Sequence, residues 1–169
     1  ILHFENGALR DRTTRLNVNN LPDKRFDLVY LYDGAGAGSY SDRTVESWTD
    51  YGTAFSLMDN TNDYLYIGYN TTFSAVDFSL SAPGAGYSLG VEYSLGNGLW
   101  GSLSGMTDGT QGLQNSGRLS FTIPGNWAQN TVNGQTKNWL RIRTSTLPTA
   151  VASVYSIKRV DLAGEIEYG

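Results

Sequence analysis

Residues 64–143 decide the fold, and they read YLYIGYNTTFSAVDFSLSAPGAGYSLGVEYSLGNGLWGSLSGMTDGTQGLQNSGRLSFTIPGNWAQNTVNGQTKNWLRIR. Short apolar runs alternate in this stretch with turns that are rich in Gly, Asn and Pro. Val76 and Phe78 fall on one face of a strand, as do Leu140 and Ile142 in a later strand. Apolar residues at every second position are typical of half-buried β-strands. The pattern therefore predicts β-structure, and helical periodicity is almost absent.

The same alternation extends on both sides of this stretch. We expect strands at 26–32, 64–69, 73–80, 87–94, 118–123, 139–144, 151–160 and 163–168. Turn signals such as Gly96-Asn97-Gly98 and Asn133-Gly134 separate them, because Gly and Asn tolerate positive φ. Short strands at this spacing predict an all-β fold, an antiparallel β-sandwich or jelly-roll-like domain. At most one short helical turn is expected, near 124–129, where a proline can begin it.

The chain of 169 residues suits one domain, which we place at 21–169. Residues 1–20 are more polar, with only sparse apolar positions. They are predicted to form either an ordinary edge strand or an N-terminal arm that pairs with a neighbouring subunit by strand addition.

Composition excludes several classes of function. The chain has no cysteine and one histidine, His3, so a disulfide framework, a multi-histidine zinc site and a histidine-based triad are not expected. The net charge is −4, and the 12 Lys and Arg residues are scattered, which argues against a nucleic-acid partner. No run of 18 or more apolar residues occurs, so no membrane span is expected.

Two carboxylates are candidates for a glycosidase pair. Asp77 and Glu92 fall on successive predicted strands, each opposite the apolar face, and could lie close together. The alternative is that both are solvated residues of an outer sheet face. Because no local pattern indicates a cleft or a raised pKa, we expect no enzyme activity.

Oxygen ligands cluster at Asp59, Asn60, Asn62 and Asp63. Carboxylate and amide oxygens are the ligands that calcium prefers, so a structural calcium ion is possible here. The spacing does not match an EF-hand loop, and Asx-rich turns also arise for conformational reasons alone. No other cofactor is expected.

The aromatic residues could serve either packing or ligand binding. Trp100 and Trp127 are expected to fill the core, because aromatic rings bury a large apolar area. Trp139, Arg141 and Arg143 alternate with Leu140 and Ile142, so the three are predicted to lie on the opposite face, with an exposed Trp139. They are the candidate contacts for a sugar or a protein partner, with an arginine stacked on the ring.

Several ordered motifs carry a resemblance to a known family. They are GTAF (52–55), DYLYIG (63–68), TDGT (107–110), PGNW (124–127), TVNG (131–134) and WLRIR (139–143). Over 48–156 the chain resembles a β-sandwich module of virion structural proteins of tailed phages and prophages, of the head decoration or tail and baseplate type, and of related microbial surface proteins. The family has no catalytic residues to transfer.

The resemblance implies a non-enzymatic structural subunit of a virion, as capsid decoration or tail component, or of an extracellular filament or surface assembly. Its partners would be copies of itself and other virion or surface proteins, and its location the virion or the cell exterior. The low charge content of 17% also suits packing against neighbours. A carbohydrate-binding or adhesion module, with a glycan partner, is the alternative.

Overall fold

Strands account for nearly all of the regular structure. The structure is a computed structural model that describes the backbone of Leu2–Glu5 and Ala8–Asp11 and all of residues 23–36 and 38–160. The strands are β1 Leu2–Glu5, β2 Ala8–Asp11, β3 Leu28–Asp33, β4 Ser39–Asp42, β5 Phe55–Ser56, β6 Tyr64–Tyr69, β7 Ala75–Ala82, β8 Leu89–Gly96, β9 Leu99–Ser102, β10 Thr107–Asp108, β11 Gly117–Ser120, β12 Asn130–Val132, β13 Gln135–Thr144 and β14 Ser153–Val160. One short 3-10 helix spans Glu46–Trp48.

Two antiparallel sheets carry the fold. The smaller has five strands in the order β10-β11-β7-β14-β5, and the larger follows β4-β3-β6-β13-β8-β9, with β12 paired to β13 as its seventh strand. Strands β1 and β2 pair with each other in a separate two-stranded sheet. The predicted fold class, an antiparallel β-sandwich, is confirmed.

The main core lies between the two sheets. Alternation turns Val76, Phe78 and Ile157 of the smaller sheet toward Leu140 and Ile142 of the larger one, and all five side chains are buried. Burial of such side chains is the dominant favourable term in folding. The faces predicted from the sequence for these strands are therefore the ones that the fold buries.

Some local predictions differ from the structure. Residues 124–127 form a single hydrogen-bonded turn, in which the Trp127 N–H donates to the Pro124 carbonyl at 3.3 Å, and the short helix lies instead at Glu46–Trp48. The strand predicted at 118–123 is shorter in the structure, since β11 ends at Ser120, and Ile123 beyond its end is 42% exposed. The last predicted strand, at 163–168, lies outside the described residues. The N-terminal arm at 1–20 and the domain bounds 21–169 stay predictions.

Two leucines offer a matched test of the core. Leu140→Ala should lower the free energy of unfolding by about 2–5 kcal/mol, because it leaves a cavity between the sheets. Leu147 is 64% exposed on a loop, so Leu147→Ala should change it by less than about 0.5 kcal/mol. Urea denaturation followed by circular dichroism measures both. Equal effects of the two substitutions would contradict this assignment of the core.

Candidate ligand-binding surface

The outer face of the larger sheet carries side chains that are unusual for a solvent-facing surface. Antiparallel register places Tyr30 opposite Tyr66, Tyr66 opposite Arg141, and Arg141 opposite Glu92. Asp42 continues this row on β4, opposite Tyr30. Directly paired residues of an antiparallel sheet point to the same face, so these five side chains form one row across five strands.

Further aromatic residues flank this row. Tyr32 lies between Tyr40 and Tyr64 in the register, and its ring centre is 4.9 Å from that of Tyr40. Trp100 of β9 reaches Tyr66 from the other side, with ring centres 5.8 Å apart. We call this surface the aromatic face, and its members are Tyr30, Tyr32, Tyr40, Tyr64, Tyr66, Trp100, Trp139, Glu92 and Arg141.

The rings of the aromatic face differ in exposure. Tyr40 is 37% exposed, and Tyr32, Tyr64 and Trp100 are half-buried. The remaining rings, those of Tyr30, Tyr66 and Trp139, are buried beneath or beside them. Neighbouring rings are tilted or edge-on to one another rather than coplanar. The surface therefore offers four accessible aromatic rings supported by a buried layer.

Arg141 lies at the centre of the aromatic face. Its guanidinium carbon is 4.1 Å from the ring centre of Trp100 and 4.6 Å from that of Tyr64, which is cation–π geometry with both rings. Its Nε–H donates to Glu92 Oε1 at 3.0 Å. The predicted stacking of an arginine on a ring thus occurs, but on Trp100 and Tyr64.

Tyr66 is held in its neutral form by its surroundings. Burial raises its pKa to about 12, because the phenolate would lose hydration, and hydrogen bonding with Arg141 offsets part of that effect. Burial likewise raises the pKa of Tyr30 and of Tyr40. These hydroxyl groups keep their protons at neutral pH and remain able to donate hydrogen bonds.

Trp139 is fully buried, so the prediction that its ring is exposed is wrong. The indole Nε1–H donates to the carbonyl of Asn130 at 2.9 Å, and the β12–β13 hairpin covers the ring. The prediction that Trp139 and Leu140 lie on opposite faces of the sheet is correct, since Trp139 belongs to the outer cluster and Leu140 to the core between the sheets. Gly68 pairs with Trp139, and a Cβ at that glycine would lie 2.6 Å from the indole ring. The ring has no free side for a sugar.

Arg143 continues the outer face one row beyond Arg141. It is half-buried and lies opposite Gly90, and its Nε has no hydrogen-bond partner among residues 23–36 and 38–160. Ligand binding by Trp139, Arg141 and Arg143 stays a prediction, although the burial of Trp139 removes the basis for direct stacking on that ring.

The predicted calcium loop is stabilised by its own hydrogen bonds. Asp63 is buried, and its two carboxylate oxygens accept from the backbone N–H groups of Gly34, Asp59 and Asn60 at 3.1–3.2 Å. Burial raises the pKa of Asp63. Within the described part of the chain no group of three or more His, Cys, Asp or Glu side chains could hold a metal ion. Calcium binding by Asp59, Asn60, Asn62 and Asp63 stays a prediction.

The two carboxylates considered as a glycosidase pair do not meet. Asp77 lies on the outer face of the smaller sheet, where it forms an ion pair with Arg118 at 2.8 Å, and Glu92 lies on the outer face of the larger sheet. The chain crosses from one sheet to the other between β7 and β8, so the whole sandwich separates them. The possibility that successive strands bring them together is therefore ruled out, and the alternative, that both lie on outer sheet faces, agrees with the structure.

Sequence reasoning missed the accessible rings of the aromatic face. Trp100 was expected in the core, yet it is half-buried on the outer face, because Ser94 and Trp100 pair on that side of β8 and β9. A signal for the tyrosines exists in the sequence. Tyr30 and Tyr32, and likewise Tyr64 and Tyr66, occupy the alternate positions that a solvent-facing side would normally give to polar residues.

Comparisons with known proteins show likeness to solved structures. The chitosan-binding module 1 of a chitosanase/glucanase from Paenibacillus sp. IK-5 is similar over 82% of this chain and 95% of that module, at 14% identity and a TM-score of 0.48. A selenomethionine-labelled point mutant of the same module is similar over 78% of this chain and 91% of the mutant, at 13% identity and a TM-score of 0.45. A glycoside hydrolase is similar at 14% identity and a TM-score of 0.44, over 85% of this chain but only 33% of the hydrolase chain.

No protein-family model and no curated protein matches the chain. None of the three solved structures is described as a phage protein, so the predicted virion role gains no support from them. No helix of the described residues is long and apolar enough to span a membrane.

The raised pKa of Tyr66 predicts a particular pH dependence of stability. An unfolded tyrosine ionises near pH 10, whereas folded Tyr66 stays protonated to about pH 12. Its contribution to stability is therefore fully present below pH 10 and is lost as the pH rises toward 12. Between these values, the free energy of unfolding should fall more steeply in the native protein than in Tyr66→Phe. Urea denaturation at each pH measures this, and parallel curves would contradict the burial of the hydroxyl.

Proposed function

We propose that this protein binds carbohydrate, without catalysis, through the aromatic face. One observation carries the proposal: four accessible rings, those of Tyr32, Tyr40, Tyr64 and Trp100, lie on one sheet face with the Arg141–Glu92 ion pair, and the rings of Tyr64 and Trp100 contact Arg141. A soluble protein that leaves an aromatic patch in contact with water commonly uses it as an interaction site.

The chemistry of this surface suits a sugar. A pyranose presents apolar C–H groups on its ring faces, which pack on aromatic rings, and hydroxyl groups around its edge. Arg141 and Glu92 supply charged donors and acceptors beside Trp100, and hydrogen bonds to charged groups are stronger than neutral ones. The hydroxyl of Tyr40, whose pKa is raised by burial, adds a donor that keeps its proton at neutral pH.

The shape of the surface suits a chain of sugars rather than a small enclosed ligand. The row from Asp42 to Glu92 crosses five strands, and Ser102 extends it to β9. At about 4.8 Å between strands, this row is about 24 Å long. A polysaccharide ligand would make the proposed function an extracellular or surface one.

Trp100 provides the direct test. The protein should be retarded in native gels that contain a soluble neutral polysaccharide from a panel of β-glucan, xylan and galactomannan. Trp100→Ala should weaken binding about tenfold, because truncating a central aromatic contact costs more than about 1 kcal/mol. Tyr40→Ala, at the rim of the same face, should weaken it less.

Leu147→Ala is the matched control, because Leu147 is exposed on a loop outside the aromatic face. It should bind like the native protein, and thermal denaturation should show that all three variants are folded. Absence of retardation by every polysaccharide, or native binding by Trp100→Ala, would refute the proposal.

A structural role in an assembly remains a second proposal. In this proposal the protein serves as a subunit of a virion, as capsid decoration or tail component, or of an extracellular filament or surface assembly. The observation that favours it is the edge strand β4. All four residues of Ser39–Asp42 are exposed, and in the described part of the chain β4 pairs only with β3. An unpaired edge can accept a strand from another copy.

The assembly proposal predicts self-association. Sedimentation velocity over a hundredfold concentration range should then show large, discrete species, and electron microscopy should show particles or filaments of regular spacing. Proline substitution at Tyr40, which removes a backbone donor from β4, should reduce the association. A monomer at every concentration would count against this role and would leave the carbohydrate proposal unaffected.

A further inference from the structure

A groove of about 500 Å³ lies on the outer face of the smaller sheet, on the side of the sandwich opposite the aromatic face. Its floor is formed by β7 and β14, and its walls by the start of β11 and by the segment that follows the 3-10 helix. This volume falls within the range of about 300–1,000 Å³ that is usual for ligand sites.

Hydroxyl groups and paired charges line this groove. Ser79 and Ser156 lie opposite each other on its floor. Asp77 and Arg118 form a bidentate ion pair, with nitrogen–oxygen distances of 2.8 and 3.1 Å, at one side.

The other side of the groove is organised around Asp50. The carboxylate accepts from Lys158 Nζ at 2.8 Å and from the Ser156 hydroxyl at 2.5 Å. The hydrogen bond from Lys158 has the larger effect and that from Ser156 the smaller; both lower the pKa of Asp50 and keep it ionised at neutral pH. The four charged side chains that line the groove, two acidic and two basic, are thus paired and sum to zero.

An aromatic ring stands at the rim. Tyr51 is 83% exposed, and its backbone has φ 58°, a left-handed conformation that is uncommon for a bulky residue. Its ring centre lies 5.3 Å from that of Tyr155, the residue of β14 that has no register partner at the shift between Val154 and Ser156. Unfavourable backbone geometry of this kind tends to occur at functional sites, and bulges redirect side chains there.

We infer that this groove is a second carbohydrate site, which takes a neutral oligosaccharide with one sugar ring against Tyr51. Charge neutrality disfavours uronic-acid and amino-sugar chains, since either would meet an already satisfied ion pair. A neutral sugar can accept from Arg118 and Lys158 and donate to Asp77 and Asp50 without disrupting the pairs. The inference depends on the smaller sheet alone and not on the aromatic face.

Nitrogen-15 NMR titrations test the inference with cellohexaose, xylohexaose and mannohexaose. At least one should shift the amide signals of Ser79, Ser116 and Ser156 in the native protein. Tyr51→Ala should weaken this response about tenfold, whereas Tyr51→Phe, which keeps the ring, should preserve it. Because Tyr51 is exposed, both variants are expected to fold, and circular dichroism checks this.

Trp100→Ala separates the two sites. It should leave the groove signals unchanged, even where it weakens binding at the aromatic face. No shift in the groove with any of the three probes, or an unchanged response in Tyr51→Ala, would overturn the inference and leave the aromatic face untouched. A groove response that is stronger with trigalacturonate or with a chitosan hexamer would overturn the assignment to neutral sugars.

Discussion

The burial of Trp139 on the outer face of the larger sheet is the interaction on which the rest of that face depends. An uncovered Trp139 would leave a large apolar ring in water, and the β12–β13 hairpin covers it and accepts hydrogen bonds from its indole N–H. Tyr30 and Tyr66 pack against the same ring, with ring centres 5.7 and 6.2 Å away. The larger sheet therefore buries side chains on both of its sides, and the accessible rings rest on a second small core.

This second core explains why the accessible rings are well supported. Trp100 and Tyr64 contact Arg141, and Arg141 is held by Glu92, so each exposed group has a partner that limits its rotamers. A surface ordered before it meets a ligand loses less conformational entropy on binding. The groove on the smaller sheet achieves similar order by ion pairs, since Asp77 and Arg118 fix each other.

The fold could be predicted from alternation because the inner faces obey it: Val76, Phe78, Leu140 and Ile142 are where the pattern puts them. On the outer faces, the exposure and the contacts of the side chains could not be predicted in this way. Trp139 is buried because the β12–β13 hairpin folds over its ring, and Asp77 is separated from Glu92 because their strands join different sheets. Neither follows from the alternation of apolar residues along a single strand. The position of Trp100 on the outer face was missed because its large apolar ring was expected to be buried in the core.

The contact between Gly68 and the Trp139 ring has a consequence for how this sequence can vary. A side chain at position 68 and an indole at position 139 cannot occupy the same space, since a Cβ would come within 2.6 Å of the ring. A side chain larger than glycine at position 68 thus requires a smaller side chain at position 139, and the two positions should change together among related chains. A glycine in the middle of a strand, opposite a tryptophan 71 positions later, is a signature by which distant relatives with the same outer core could be recognised.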